Sequence, residues 1–393
     1  MAVPSDNLQW LRNPGILSIR NGAQIPGEYV LSGQFDKSYR YSRQFPRVRP
    51  ATTNRGRIQS MKRATLIFNP RAGQLTMASK VKPVADFWRA RDWRVTLRAT
   101  EAPGHATELA RQAAEAGEEL VLAVGGDGTM GQVATGLAGS PTIMAPLPIG
   151  TSNALARELK LPRPQLLDAK APFEASEALM AGRVQSIDLT HVQSHTETGY
   201  ALLWTGIGAD GFLVQQIEPR PDWSKRLGPI GYGIQIFSLL HRLPSMHAVV
   251  QVDDQTLEED LLLILISTAR LYAGGLIELS AASRFDDGLF EVWLFRADSI
   301  ASRLEPSRAP LMIRYLTEVQ LKMERQDPGV TTITGKRVVI ETQPKMPCQT
   351  DGEWAGYSPL TCEIRPSALN LLVPPAAPSD LFFKPGIPLS ELV

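Results

Sequence analysis

Residues 119–124 read Glu-Leu-Val-Leu-Ala-Val and run without a break into Gly125-Gly126-Asp127-Gly128, after which 129–138 take on a helical pattern. A short run that is apolar at nearly every position is the mark of a strand buried on both faces, the kind found in parallel sheets covered by helices. The flanking chain repeats the unit. Strands are predicted at 64–70 (ATLIFNP), 92–100 (DWRVTLRAT) and 142–146 (TIMAP), and helices at 104–117, at 152–159 and near 173–181. Strand and helix alternating at this spacing predict a doubly wound α/β domain. Ligands of such sheets bind beyond the carboxyl ends of the strands. Asn69, Thr100, Gly125 and Gly150 all fall at such ends, so they are expected to converge on one edge.

Past the LPRP stretch at 161–164 the texture changes. VQSIDLTHV, YALLWTGIG, MHAVVQVDD, LLLILISTA, GLFEVWLF, GKRVVIET and LTCEIRP follow one another as strands, with helices expected only at about 229–243 and 309–323. Strands in succession pair antiparallel, which predicts a C-terminal β-sandwich after the N-terminal α/β nucleotide-binding domain. The expected division is a basic arm over 1–61, the α/β domain over 62–182 and the sandwich over 183–373. A proline-broken tail over 374–393 is expected to pack back on the first domain. The helix at 229–243 is apolar nearly all round, and most of it is expected in the core, with one face left to meet lipid.

Composition narrows the setting. The 393 residues include two cysteines, Cys348 and Cys362, without metal-type spacing, which points to a reducing compartment. The longest apolar run, Leu261–Ile266, falls far short of the ~20 residues of a membrane span. The first residues have neither a basic segment nor an apolar core of the secretory type. A cytoplasmic protein is expected, peripheral at a membrane at most, with its oligomeric state open. Residues 1–63 carry 11 Lys/Arg against 3 Asp/Glu, and the other 330 carry 30 against 37. Two readings of this arm stand: a basic segment that docks on anionic headgroups, or an unstructured leader ahead of a start at Met61. No nucleic-acid module accompanies it, so no nucleic-acid partner is expected.

Glycines at 125, 126 and 128 let the backbone bring its N–H groups close to a ligand, and the helix that follows adds the positive end of its dipole. Both favour a phosphate. A carboxylate there repels phosphate unless Mg²⁺ bridges the two, which gives Asp127 a reason to be present. The alternative is a tight strand-to-helix turn with a capping Asp. The loop at 146–159 repeats the arrangement, with Thr151, Ser152 and Asn153 as capping residues after Gly150.

These residues carry a resemblance. GGDGT at 125–129, NPRAG at 69–73, TEAPGHA at 100–106 and PIGTSNALAR at 148–157 resemble the diacylglycerol kinase catalytic domain family, which includes bacterial lipid kinases and sphingosine kinases. IDLTHV (187–192), GIGADGFLV (206–214), RFDDGLFEV (284–292) and TDGEWAG (350–356) continue it in the family's order. The resemblance implies an ATP-dependent lipid kinase that uses Mg²⁺ and transfers the γ-phosphoryl group to a lipid hydroxyl, of the diacylglycerol or sphingoid-base type. It implies nucleotide contacts from Asn69, Thr100, Gly125, Gly126, Asp127, Gly128, Thr129, Met130, Gly131 and Thr151, with Arg226 reaching the phosphates. Glu353 matches the general base, and Asp351 is expected to hold metal or to orient Glu353, the two carboxylates lying on one side of an extended strand. Asp210 matches a residue at the lipid's polar end. A second, structural Mg²⁺ is implied at the Asp287 side chain and the carbonyls of Arg284 and Leu289, against the alternative of an ordinary hairpin turn.

The chain departs from the pattern in two places. Ala154 stands where many bacterial members have Asp, and Gly131-Gln132 stand where they have Asn-Glu. The first bears on Mg²⁺ binding and leaves open a nucleotide- or lipid-binding regulatory protein that has lost catalysis. A soluble-substrate kinase of the NAD kinase type shares the Gly-Gly-Asp-Gly turn but does not resemble GTSNALAR or TDGEW. None of the five histidines joins a cluster, and His105 is expected to be structural.

Overall fold

The structure, a computed structural model, describes residues 62–70, 77–149, 153–163, 170–217, 228–297, 309–322 and 329–392. The arm over 1–61, Gly150, Thr151 and Arg226 lie outside the described residues.

The first half is built on four parallel strands, β1 (Lys62–Phe68), β2 (Trp93–Ala99), β3 (Leu120–Gly125) and β4 (Ile143–Pro148), in the order β2-β1-β3-β4. The crossovers are α1 (Met77–Arg89), α2 (His105–Glu115) and α3 (Asp127–Leu137), and α4 (Ala154–Glu158) and α5 (Ala171–Met180) follow. The chain steps one way from β1 to β2, then back across β1 to β3. Right-handed crossovers therefore put α1 on one face of the sheet and α2 and α3 on the other. The packing agrees: α1 lies against α5, and α2 against α3. The reversal falls between β1 and β3, and the carboxyl ends on either side of it lead into Asn69 and Gly126. As the unbroken apolar run required, β3 is buried at every position.

The second half carries β5 (Arg183–Gln193), β6 (Thr198–Ala201), β7 (Trp204–Gly208), α6 (Ala209–Ile217), α7 (Gly228–Leu239), β8 (Met246–Val252), β9 (Gln255–Ser267), β10 (Leu271–Tyr272), β11 (Ile277–Glu278) and β12 (Phe290–Arg296). Then come α8 (Ala309–Gln320), β13 (Val330–Gly335), β14 (Arg337–Gln343), β15 (Pro347–Thr350), β16 (Glu353–Tyr357), β17 (Leu360–Val373), β18 (Ile387–Pro388) and α9 (Leu389–Leu392). Its strands pair antiparallel and close over a sandwich core that includes Ile207, Val250, Ile266, Val292, Val338 and Cys362. Residues 261–267 of β9 are buried on both faces. Leu261, Ile264 and Ile266 fill the sandwich, while Leu263 and Leu265 join the core of the first half. On that outer side Phe295 of β12 meets Tyr315 of α8, ring centroids 6.0 Å apart.

The two halves share a strand. β17 pairs antiparallel with β14 and β5, shifts register between Arg365 and Leu369, and then sets Asn370 and Leu371 parallel beside Ile143 and Met144 of β4. Pro366, which has no N–H to offer a ladder, and Ser367, at φ +54°, sit in that irregularity. Among the described residues sixteen strands consequently form one continuous sheet. Leu371, Leu372 and Val373 belong to this strand, and the tail that follows packs at the seam. Leu381, Phe382 and Leu389 are buried, β18 adds to the edge of β5, and Asp286 accepts the Lys384 N–H at 2.8 Å.

Three helices were not anticipated: α1, α6 and the short α9 in the tail. α1 holds Pro83 inside it, yet Val81, Val84, Ala85 and Trp88 make a buried stripe at helical spacing. α6 begins inside the GIGADGFLV stretch and runs on to Ile217. The apolar helix at 229–243 was expected to be mostly core; Leu243 is buried, but the other described apolar side chains are not. In α7 the described side chains, 234–239, are half-buried or exposed, with Ile234 50% and Phe237 75% accessible. Among the described residues no helix is long and apolar enough to cross a membrane.

Candidate active site

Gly125 ends β3, Gly126 is extended, and Asp127 opens α3. The Asp127 carboxylate does not cap its own helix. Its oxygens accept the N–H groups of Ala154 (3.0 Å) and Leu155 (3.3 Å), at the start of α4. Asp127 thus ties the two phosphate-type loops together. Burial pushes its carboxyl up to about 6, against the pull of the two amides. Asn153 is the N-cap of α4, accepting the Ala156 N–H at 2.8 Å, and its amide reaches back to the Gly125 carbonyl at 3.4 Å. At the neighbouring strand ends, the Thr100 N–H donates to the Phe68 carbonyl at 2.9 Å, with Asn69 next in the chain. His105 accepts the Glu101 N–H through Nδ1 at 3.0 Å, a local loop bond.

From the second half, Asp351 and Glu353 lie over α3. A Cβ added at Gly128 would fall 2.7 Å from Glu353 Oε1, and one at Gly131 would fall 2.5 Å from Asp351 Oδ2. Positions 128, 131, 132 and 135 share one helix face. The two glycines remove the side chains that would hold the carboxylates away. Farther along, Gln132 Nε2 donates to Glu353 Oε2 at 2.5 Å, and Thr135 Oγ1 bonds both the C=O and the N–H of Tyr200. Glu353 of the second half consequently lies over Gly128, the residue that follows Asp127 in the first, in the crevice where the two halves meet.

The Asp-Gly-Glu segment is not extended as expected. Thr350 pairs with Glu353 across a two-residue turn, with Asp351 at φ +50° and Gly352 at φ +84°. Two successive positive φ angles are what a type I′ hairpin requires, and Asp-Gly is a preferred pair for it. The turn sends the side chains apart. Asp351 is 3% exposed and accepts three N–H groups, from Leu202 (2.7 Å), Leu203 (2.9 Å) and Trp204 (3.2 Å), whereas Glu353 is exposed to the crevice. Burial, with the charge of Asp127 adding a smaller push, raises the Asp351 carboxyl to about 7. Asp351 is therefore an anchor for the turn.

A second anchor could not be read in the sequence. Gln349, fully buried, accepts the Gly352 N–H at 2.7 Å and donates to Asp210 Oδ2 at 2.6 Å. Asp210 also bonds the Tyr272 side chain, and burial raises its carboxyl to about 6. Asp210 is thus wired through one amide to the turn that carries Glu353. The signal for Gln349 is faint: a polar residue two positions before an Asp-Gly turn looks like any strand residue.

Arg284, Asp287 and Leu289 line a different cavity, of about 190 Å³, with Ser267, Thr268 and Glu291; it includes none of Asp127, Asp351 or Glu353. Asp287 Oδ1 accepts the Leu289 N–H at 3.1 Å, and the loop is also held by Asp188, which accepts from Gly288 at 2.6 Å.

A nucleotide fits the strand ends: a Cβ at Gly126 would meet nothing within 4 Å, and the first-turn N–H groups of a helix have no intrahelical partner. For Mg²⁺ the donor set is sparse. Asp127 and Asp351 are spent on backbone amides, and among the described residues no three His, Cys, Asp or Glu side chains are grouped to hold an ion. An ion here would rest largely on phosphate oxygens and water, as Mg²⁺ commonly does.

Comparison with known proteins bears on the same residues. Residues 63–192 match the family model for the diacylglycerol kinase catalytic domain, and 207–373 match that for the YegS C-terminal NAD kinase beta sandwich-like domain. Among curated proteins, the diacylglycerol kinase of Bacillus subtilis (strain 168) is 26% identical over 303 residues, covering 76% of this chain and 92% of that protein. That of Staphylococcus saprophyticus is 24% identical over 301 residues, covering 76% and 91%. Among solved structures, a diacylglycerol kinase from Bacillus anthracis str. Sterne superposes with a TM-score of 0.55 at 19% identity, over 81% of this chain and 98% of that one. A second structure from the same strain gives 0.61 at 21% identity, over 80% and 98%.

Proposed function

Since the chain belongs to the diacylglycerol kinase catalytic domain family, with the YegS-type β-sandwich attached, we propose that it phosphorylates a lipid hydroxyl with ATP and uses Glu353 as the general base. The observation that carries this reading is the contact of Glu353 with Gly128 on α3, opposite the strand ends fitted for a nucleotide. Mg·ATP supplies the γ-phosphoryl group and the charge neutralisation that phosphoryl transfer needs. The chain's own residues do the rest. The strand-end amides and the N-terminus of α3 hold the triphosphate. Glu353 takes the acceptor's proton as the acceptor oxygen bonds to γ-phosphorus and the bond from γ-phosphorus to the bridging oxygen breaks, releasing ADP. Asp351 and Gln349 keep the hairpin that presents Glu353 in place, and Asp210, joined to that hairpin through Gln349, is read as the residue that meets the acceptor's polar end.

The acceptor's chains need an apolar approach. Ile234 and Phe237 on α7 are exposed, α7 packs on α6, and α6 packs on β15 and β16, where Trp354 is 43% exposed beside Glu353. We read this side as the one that meets the lipid surface.

The test is direct. Labelled ATP with Mg²⁺ is offered to diacylglycerol, sphingoid bases, ceramide, polyprenols and NAD. Label in one of the lipids is expected; label in NAD alone overturns the lipid assignment, and label in none favours a binding protein. Glu353→Gln should lower kcat by at least about 100-fold and leave ATP binding nearly intact. An unchanged rate removes Glu353 as the base.

A further inference from the structure

Glu353 is an exposed side chain at the first position of β16. A contact from the other half of the molecule holds its carboxylate: Gln132 Nε2 lies 2.5 Å from Glu353 Oε2. Gln132 is itself held. Its main-chain carbonyl accepts the Thr107 hydroxyl of α2 at 3.0 Å, and one turn on, Thr135 clamps α3 to Tyr200 by two hydrogen bonds, so the helix that carries it is fixed. Gly128, four residues before Gln132 on the same face, gives the carboxylate its floor.

We propose that Gln132 is a positioning residue for the reaction, an uncharged amide donor that fixes the carboxylate of Glu353 from across the crevice; the inference rests on the reading of Glu353 as the base. The chemistry explains why an amide suits the place. A lysine or arginine would pin the carboxylate equally well but would bring a positive charge that competes for the phosphates. A carboxylate, which many bacterial members carry at this position, would face Glu353 as a like charge and share its proton, raising the pH at which the base is free. An amide orients without either effect, and it couples the base to the nucleotide half.

The experiment compares pH profiles of kcat and of kcat/KM for the acceptor in the full chain, Gln132→Ala and Gln132→Glu, with ATP KM measured separately. Gln132→Ala should lose about 10- to 100-fold in kcat with ATP KM little changed. Gln132→Glu, nearly isosteric, should move the acid limb of the profile upward by about one pH unit or more and recover rate at alkaline pH. A merely structural role would lower the rate at every pH alike. A Gln132→Glu profile that superimposes on the parent, or a Gln132→Ala effect confined to KM, overturns the proposal. Glu353→Gln, run beside them, separates the two ideas: if it stays active the base assignment fails, whereas an inactive Glu353→Gln with unshifted Gln132→Glu refutes Gln132 alone.

Discussion

Gly131 shows how tightly one residue is specified here. Alanine is the better helix former by about 0.5–1 kcal/mol in a helix interior, so on propensity alone Gly131→Ala should stabilise α3. The structure reverses the sign. The added methyl would fall 2.5 Å from Asp351 Oδ2, and that carboxylate is pinned by three amides and cannot swing aside. Either α3 or the 350–353 hairpin must move. Gly131→Ala is expected to destabilise by about 1–3 kcal/mol, as overpacking does, and to lower kcat with it. Chemical denaturation decides the matter, and a variant as stable as the parent or more so would contradict the packing. Asp127 and Asp351 make the same point about reading a site. Their residue types were legible as carboxylates near phosphate and metal, but their oxygens are spent on N–H groups of Ala154, Leu155 and Leu202 to Trp204, partners distant in sequence.

At the scale of elements, what the sequence revealed depended on whether periodicity was undisturbed. β3 is apolar throughout and α2 is regular up to its closing glycine, and both are where the pattern places them. α1 was hidden by Pro83 in its middle, although Val81, Val84, Ala85 and Trp88 keep the helical stripe. β17 was cut short by Pro366, because a proline ends a strand unless a register shift absorbs it. The described part of α7 departs from expectation for another reason: an apolar sequence reports what a helix could bury, and among the described residues none covers Phe237, which is 75% accessible. Its exposure leads to a prediction. Phe237→Glu should leave stability within about 0.5 kcal/mol, since the site is on the surface. It should weaken sedimentation with lipid vesicles and lower turnover on them, while turnover on a dispersed short-chain acceptor stays near the parent value. Unaltered vesicle binding would take α7 out of the lipid-facing side.

Among the described residues burial makes seven carboxyl groups weaker acids, Glu118, Asp188 and Asp287 among them, and four are pushed furthest. Burial raises Asp127 and Asp210 to about 6, and Glu158 and Asp351 to about 7. The folded chain holds these protons at pH values where the unfolded chain has released them. Their contribution to stability is therefore full below the ordinary carboxylate range and is lost as pH rises through about 7. Urea midpoints are expected to be lower at about pH 7.5 than at about pH 5. Glu158→Gln, which keeps a carbonyl oxygen for the Leu271 N–H, should flatten the slope by up to about 1.4 kcal/mol per pH unit. A parent midpoint that rises over this interval would refute the assignment. The same titrations should show one transition by fluorescence and by circular dichroism, because β17 belongs to both halves.

That shared strand also sets rules for anyone who would rebuild the protein. Cutting the chain near Gly182 would deprive β4 of its neighbour and leave the excised sandwich with an open flank at Asn370 and Leu371. A graft meant to exchange acceptor preference between two such proteins has to carry 360–373 along with the strand it lies against, or stitch both junctions inside the ladder. Modularity visible in a domain map stops, in this chain, at a single row of peptide bonds.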